Sequence, residues 1–112
     1  MADEIVNKIT ADFLKSLAHP VRVKVIGMLE HGERCVCELV EDIDIEQSNL
    51  SQHLAVMKRQ GLIESRKEGT KVIYRVSSPL VIEVIRSVEK AISDQISQSQ
   101  SILKYLQQRG EK

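Results

Sequence analysis

Aromatic residues and cysteines are scarce in this sequence. Only 3% of its 112 residues are aromatic and none is tryptophan, so we expect a core of Leu, Ile and Val, in which Phe13, Tyr74 and Tyr105 are isolated large side chains. The two cysteines stand one residue apart, which is a poor framework for a disulfide-stabilised secreted domain. A signal peptide and an apolar run of about 18 residues are also missing. These absences favour one cytoplasmic domain over residues 1–112, with no membrane partner.

The net charge is zero, but the two signs are separated along the chain. Residues 33–46 hold six acidic residues and one arginine, whereas residues 58–75 hold six basic residues and two glutamates. Binding of a nucleic acid depends on local positive charge and not on the net charge. The basic segment therefore indicates a surface for a polyanion, although a solvated charged face would give the same pattern.

Apolar residues at helical spacing predict helices along the first half of the chain. The first covers about residues 3–17 and stops before Pro20, because the residue before a proline avoids helical angles. The second begins at Pro20 and ends near Gly32, which can take a left-handed cap conformation. A short third helix covers residues 36–42, and a fourth, with an apolar stripe of leucines and methionine, closes at Gly61.

The pattern in the second half of the sequence predicts a hairpin and a long helix. The segment LIESRKEGTKVIYRV, residues 62–76, alternates on either side of a basic turn that contains a glycine, which predicts two paired strands. The last helix is predicted over residues 79–108, and thirty helical residues span about 45 Å. That exceeds what a domain of this size needs, so we expect the surplus to pack against a second copy in a two-fold dimer. A frayed or bent tail at residues 93–101 is the alternative.

The order of these elements predicts a mainly α fold, a winged helix-turn-helix with about five helices and a two-stranded wing. The helix-turn-helix covers residues 36–60 and the wing residues 62–76. Glutamine and serine can share hydrogen bonds with base edges in the major groove, while lysines and arginines of the wing can lie on phosphates. The groove-facing candidates are Gln47, Ser48, Ser51, Gln52 and His53. Packing or capping would explain His53 equally well.

Residues 14–77 resemble the ArsR/SmtB family of metal- and thiol-responsive repressors. HPVR is similar to the start of the family's second helix, CVCEL to its sensor helix, QSNLSQHL to its recognition helix, and GLIESRKEGTKVIYRV to its wing. The resemblance implies a homodimer that joins through residues 1–17 and 79–108. It also implies an operator of double-stranded DNA, an imperfect palindrome, that is released when an inducer binds. Relatives often carry a serine or threonine cap where Glu46 stands, so the fourth helix is expected to lack that cap.

The resemblance also supplies candidate phosphate contacts outside the groove-facing set. They are Arg22, Lys58, Arg66, Lys67 and Lys71. For Arg22 an alternative is a structural role, in which it pairs with an acidic neighbour and holds two helices together.

Cys35 and Cys37 are the candidate sensor. On a regular helix these positions point about 200° apart, so they can face one ion only if the backbone departs from helical geometry at the helix start. The helix N-terminus and Arg34 would favour thiolates there. In arsenical repressors with CVC, the resemblance implies a third thiol where this chain has Val40, which leaves a two-thiolate site for As(III), Sb(III) or another soft metal. His31 is a candidate third ligand, and no cofactor is obligatory.

Three interpretations of the cysteine pair stay open. It binds a soft-metal inducer, it responds to oxidants or reactive sulfur, or it is buried without a sensing role. A disulfide across one residue would be easily reduced, which suits a switch. Two other classes of function are a small thiol enzyme that uses Cys37 with a histidine, and a winged-helix module that binds protein. The enzyme lacks a recognisable nucleophile pattern, so we expect a regulator and not an enzyme.

Overall fold

The structure is a computed structural model that describes residues 1–110; the last two residues of the predicted domain, 111 and 112, lie outside this part. The helices are α1 (Ala2–Leu17), α2 (Pro20–Leu29), α3 (Val36–Ile43), α4 (Gln47–Arg59) and α5 (Pro79–Gly110), and the strands are β1 (Arg34–Cys35), β2 (Ile63–Glu68) and β3 (Lys71–Val76). Residues Met1–Ile82 form one compact unit, and a second begins at Glu83 and consists of the rest of α5. The expectation of a single domain stays a prediction. Within residues 1–110 no helix is long and apolar enough to cross a membrane.

The core of the first unit is aliphatic, as the scarcity of aromatic residues predicted. Each of its helices and the first residue of β2 contribute side chains that are at most a few per cent exposed. They are Leu17, Val25, Ile26, Leu29, Leu39, Leu50, Leu54, Met57, Ile63 and Val81, and Leu62, just before β2, is buried with them. Burial of such side chains contributes roughly 1.5–3 kcal/mol each before the entropy cost of folding. The predicted stripe of α4 is thus the inner face of that helix.

The sheet differs from the predicted two-stranded wing. It has three strands in the order β1-β3-β2, because Arg34 pairs with Tyr74 and Cys35 with Ile73. A strand of two residues leaves no alternating pattern in the sequence, and its partner lies about forty residues further on. The wing itself is confirmed, with β2 and β3 joined by a tight turn in which Gly69 has a φ of 65°. The extra strand fixes the start of α3 to the middle of β3.

Both ends of α4 agree with the sequence. Glu46 is the N-cap residue and makes no side-chain cap, as the missing serine or threonine indicated. At the other end Gly61 has a φ of 77°, a left-handed conformation that suits glycine, and the N–H of Leu62 donates to the carbonyl of Met57 at 2.9 Å. The chain therefore turns directly from α4 into β2.

A hydrogen-bond chain ties α4 to α1 and α2. The Arg22 Nε donates to His53 Nδ1 at 3.0 Å, and its Nη1 donates to the Ser16 carbonyl at 3.2 Å. The ring of His19 lies against that of His53, with centroids 4.3 Å apart, and its Nδ1 accepts the Val21 N–H at the start of α2. Burial lowers the pKa of His53, and the charges of His19 and Arg22 lower it further. A neutral His53 is required, since its Nδ1 must be unprotonated to accept the hydrogen bond from Arg22.

This arrangement predicts a loss of stability in mild acid. As the pH falls through about 6.5, the unfolded chain protonates His53 before the folded protein does, so the free energy of unfolding decreases. We expect His53→Gln to lose less stability than the wild type between about pH 8 and pH 5.5, measured by urea denaturation. His31→Gln, a change of an exposed histidine, is the matched control and should follow the wild type. An equal loss in His53→Gln and the wild type would contradict the assignment.

Candidate nucleic-acid interface and thiol pair

The outer face of α4 is polar and unobstructed in the described chain. Gln47, Ser48, Ser51 and Gln52 are exposed, while Leu50, Leu54 and Met57 on the opposite face are fully buried. None of the four outer side chains has a described hydrogen bond, so their donors and acceptors remain free for a ligand. Four of the five groove-facing candidates therefore share one accessible surface.

The fifth candidate, His53, lies in a different environment. It is half-buried, and its Nδ1 is occupied by Arg22. These contacts favour the packing role for His53, and its contact with DNA stays a prediction. Arg22 links α4 to α1. The partners of Arg22 are an imidazole and a backbone carbonyl, and not the acidic neighbour of the alternative interpretation.

The candidate phosphate contacts in the wing and at the end of α4 differ in whether their side chains have partners. Lys67 and Lys71 are exposed near the tip of the wing, and no ion pair or hydrogen bond of either side chain is found within residues 1–110. Lys58 instead donates to Ser65 Oγ at 2.7 Å and so links the end of α4 to β2. The two lysines at the tip are the better placed of these for phosphates.

Arg66 is held by two carboxylates. Its guanidinium donates to Glu33 and to Glu68, the latter at 3.0 Å. The hydrogen bond from Arg66 lowers the pKa of Glu33, and the same bond raises the pKa of Arg66. Its positive charge is compensated, which makes it a weaker candidate for DNA than the lysines. Glu33 was not singled out from the sequence, because it stands 33 residues from its partner.

Cys35 and Cys37 form a disulfide at the junction of β1 and α3, with their Cα atoms 5.3 Å apart. Cys35 is the N-cap of α3 and has extended backbone angles, φ −79° and ψ 159°. It therefore lies outside the helix, and the two side chains converge as the proposed departure from helical geometry required.

The two sulfurs have unequal surroundings. Cys35 is 3% exposed, whereas Cys37 is exposed. The Cys35 Sγ accepts the N–H of Glu38 at 3.3 Å, and the Glu38 carboxylate accepts the N–H of Cys35 at the same distance. This reciprocal cap makes Cys35 part of the start of α3. Glu38 was missed in the sequence, where only a serine or threonine would have signalled such a cap.

The other metal-site candidate, His31, is exposed between α2 and β1. No group of three or more His, Cys, Asp or Glu side chains suited to a metal ion occurs in the part of the chain that the structure describes. The suggestion that His31 is a third metal ligand stays a prediction.

Comparison with known proteins identifies the family. Residues 19–65 match the model of the bacterial regulatory protein, arsR family. The HTH-type transcriptional regulator Rv0081 of Mycobacterium tuberculosis is 34% identical over 98% of this chain and 97% of its own. The biofilm growth-associated repressor of Xylella fastidiosa is 35% identical over 70% of this chain and 68% of its own.

Solved structures agree with the fold. The crystal structure of Rv0081 superposes with a TM-score of 0.77 at 35% identity, over 83% of this chain and 94% of that one. Mb0332 of Mycobacterium bovis, described as a homodimeric winged helix-turn-helix DNA-binding domain, gives a TM-score of 0.77 at 25% identity, over 86% and 89% of the two chains. The relatives found by sequence and those found by structure are described as regulators of transcription and not as enzymes, which removes the thiol-enzyme alternative. The chain belongs to the ArsR/SmtB family of winged helix-turn-helix transcriptional regulators.

Proposed function

We propose that this protein is a homodimeric repressor whose affinity for its operator is set by the chemical state of the Cys35–Cys37 pair. The observation that carries the proposal is the position of Cys35. It caps α3, pairs with the wing strand β3, and is bonded to an exposed sulfur. A chemical change at this one residue would act on α3, which contacts α4, and on the wing strand β3.

The polar face supports DNA recognition. An α-helix fits the major groove, and exposed glutamine and serine side chains can hydrogen-bond to base edges there. Lys67 and Lys71 supply charge for the flanking phosphates. Because a two-fold dimer presents this surface twice, the operator would have two inverted half-sites about one helical turn apart, an imperfect palindrome.

Exposed apolar side chains support the dimer. In α1, Ile5, Val6 and Ile9 are each about 60% exposed. In α5, half or more of the side chain is exposed at Val88, Ile92, Ile96, Ile102, Leu103 and Leu106. Such rows on two helices favour a partner surface, and Mb0332 is described as homodimeric. Residues 1–17 and 79–108 are therefore the proposed dimerisation helices.

The disulfide favours redox control. Cys35 Sγ accepts the Glu38 N–H in the reciprocal cap, and a thiolate is a much stronger acceptor than a disulfide sulfur. Reduction would therefore strengthen the start of α3, which contacts α4. The reduced protein is the form proposed to hold DNA, and oxidation to the disulfide is the proposed release signal.

A second candidate signal is As(III), Sb(III) or another soft metal ion. The close approach of the two sulfurs supports it, because both thiolates of the reduced pair could bind one ion, and soft thiolates select such ions. His31 is the candidate third ligand. Either chemistry would replace the free Cys35 thiolate by a sulfur that accepts the Glu38 N–H more weakly.

Base recognition by α4 can be tested with paired alanine substitutions. Ser51→Ala together with Gln52→Ala should lower the preference for the operator over random duplex by about tenfold or more, since a good base contact is worth roughly 1–3 kcal/mol. The operator is first selected by the wild type from random duplexes, and affinities are compared by fluorescence anisotropy at one salt concentration. Ser87→Ala with Gln98→Ala, two exposed polar residues of α5, is the control. Unchanged preference in the α4 variant would remove these residues from base readout.

The thiol switch predicts a redox-dependent affinity. The reduced wild type should bind its operator about tenfold more tightly than the disulfide form, within the usual 5–150-fold range of allosteric coupling. Cys35→Ser with Cys37→Ser should bind equally well before and after oxidation by diamide. Titration of the reduced complex with arsenite and with antimonite tests the second signal. Equal affinity of reduced, oxidised and arsenite-treated wild type would refute the sensor function and leave a non-sensing winged-helix module.

The dimer predicts that a charge in the apolar row of α5 separates the copies. Ile92→Asp should raise the dimer dissociation constant by about 30-fold or more, as expected for a buried anchor at an interface. Ser101→Asp, nine residues further along and therefore on the opposite side of the same helix, should leave the constant within about twofold. Analytical ultracentrifugation measures both. A stable Ile92→Asp dimer would place the interface elsewhere.

A further inference from the structure

A groove of about 450 Å³ opens beside the disulfide. Its walls come from three places: the cysteines with Val36 and Val40, Gln47 at the start of α4, and residues 70–72 of the wing. The volume falls in the range of small-molecule sites, roughly 300–1,000 Å³. Valines form the apolar part of the wall, and Lys71 is its one cationic side chain. The groove is therefore suited to a small organic molecule with a negative charge.

The two cysteines of the disulfide are unequally accessible to such a molecule. In thiol–disulfide exchange a thiolate attacks one sulfur and the other leaves. Cys35 is 3% exposed and shielded, whereas Cys37 is exposed. The leaving sulfur would then be Cys35, whose negative charge is stabilised by the Glu38 N–H at the start of α3. The accessible sulfur and the better leaving group are thus two different residues.

We propose that the groove binds small anionic thiols and directs them to Cys37, so that they reset the oxidised switch. The inference rests on the proposed redox function. The thiolate forms a bond to Cys37 Sγ, the Cys35–Cys37 bond breaks, and its electron pair remains on Cys35 as a thiolate. A second thiolate then attacks the sulfur of the bound thiol. This releases the small-molecule disulfide and leaves both cysteines reduced, so two thiols are oxidised for each protein disulfide.

Lys71 makes the groove favour negatively charged reductants over positively charged ones. Its ammonium group has no described ion pair within residues 1–110, and it lines the groove with the disulfide. A carboxylate on the thiol would be attracted to it, and an ammonium group would be repelled. The intermediate bound to Cys37 would also lie against Gln47 and Lys71, two candidate DNA contacts. DNA binding would therefore resume only after the second step.

The charge selectivity is tested by the kinetics of disulfide opening without DNA. The oxidised wild type is reacted with 3-mercaptopropionate, 2-mercaptoethanol and cysteamine, which are anionic, neutral and cationic thiols of similar size, and freed protein thiols are counted after acid quenching. Lys71→Glu should lower the ratio of the anionic to the cationic rate by about tenfold, because the local charge changes by two units. Since each ratio is compared between proteins, the intrinsic reactivity of the thiols cancels. Lys24→Glu, the same change at an exposed residue of α2, should alter the ratio by less than about twofold.

The attacked sulfur is tested with single-cysteine variants and a small disulfide, 3,3′-dithiodipropionate. Cys35→Ser, which keeps the exposed Cys37, should form the mixed disulfide at least about tenfold faster than Cys37→Ser, measured by intact mass spectrometry. In the quenched wild-type reaction, fragmentation should find the adduct on Cys37. An adduct on Cys35, or a Lys71→Glu ratio equal to that of the wild type, would overturn the inference.

The two proposals fail separately. If Lys71→Glu changes the charge selectivity while reduced and oxidised proteins bind the operator equally, the groove stands and the redox switch does not. If oxidation releases DNA while Lys71→Glu reacts like the wild type, the switch stands and the groove is not its reductant site.

Discussion

The buried stripe of α4 is the contact on which the rest of the surface depends. Leu50, Leu54 and Met57 are completely excluded from solvent, and their burial fixes the rotation of the helix about its axis. A rotation by half a turn would bury Ser48 and Gln52, whose polar groups would lose water without gaining partners. The same packing that stabilises the first unit therefore presents the hydrogen-bonding face outward. Arg22 and His53 add a polar tie at the side of this contact.

Cys35 has three structural roles. It is a strand residue by its pairing with Ile73, a helix cap by its bond from Glu38, and half of a disulfide. In the proposed switch, a change in its sulfur would act on the sheet and on the helix together. The exposed Cys37 gives reagents access to it, while the burial of Cys35 protects the cap. The groove beside the pair reaches both α4 and the wing, which brings reagent and candidate DNA contacts to one place.

A chain with zero net charge can still carry a positive surface, because some of its basic side chains are paired with carboxylates and others are not. Arg66 and Arg75 are paired with carboxylates and hold the wing together, so they add little field outside the protein. Lys67 and Lys71, at the tip of the hairpin, have no described ion pair in residues 1–110. The surface expected to meet a polyanion is therefore positive through a few lysines, although the chain as a whole is neutral.

The sequence by itself determined the five helices, the hairpin, the aliphatic core and the outward polar face of α4, because helical and strand periodicities are local and record which side of each element is buried. It also placed Cys35 ahead of the third helix. Only the tertiary structure decided the third strand, the pairing of Arg66 with Glu33, the tie from Arg22 to His53, and the groove. Each of these joins residues about thirty or more positions apart, or walls from separate elements, and no local pattern records such a contact.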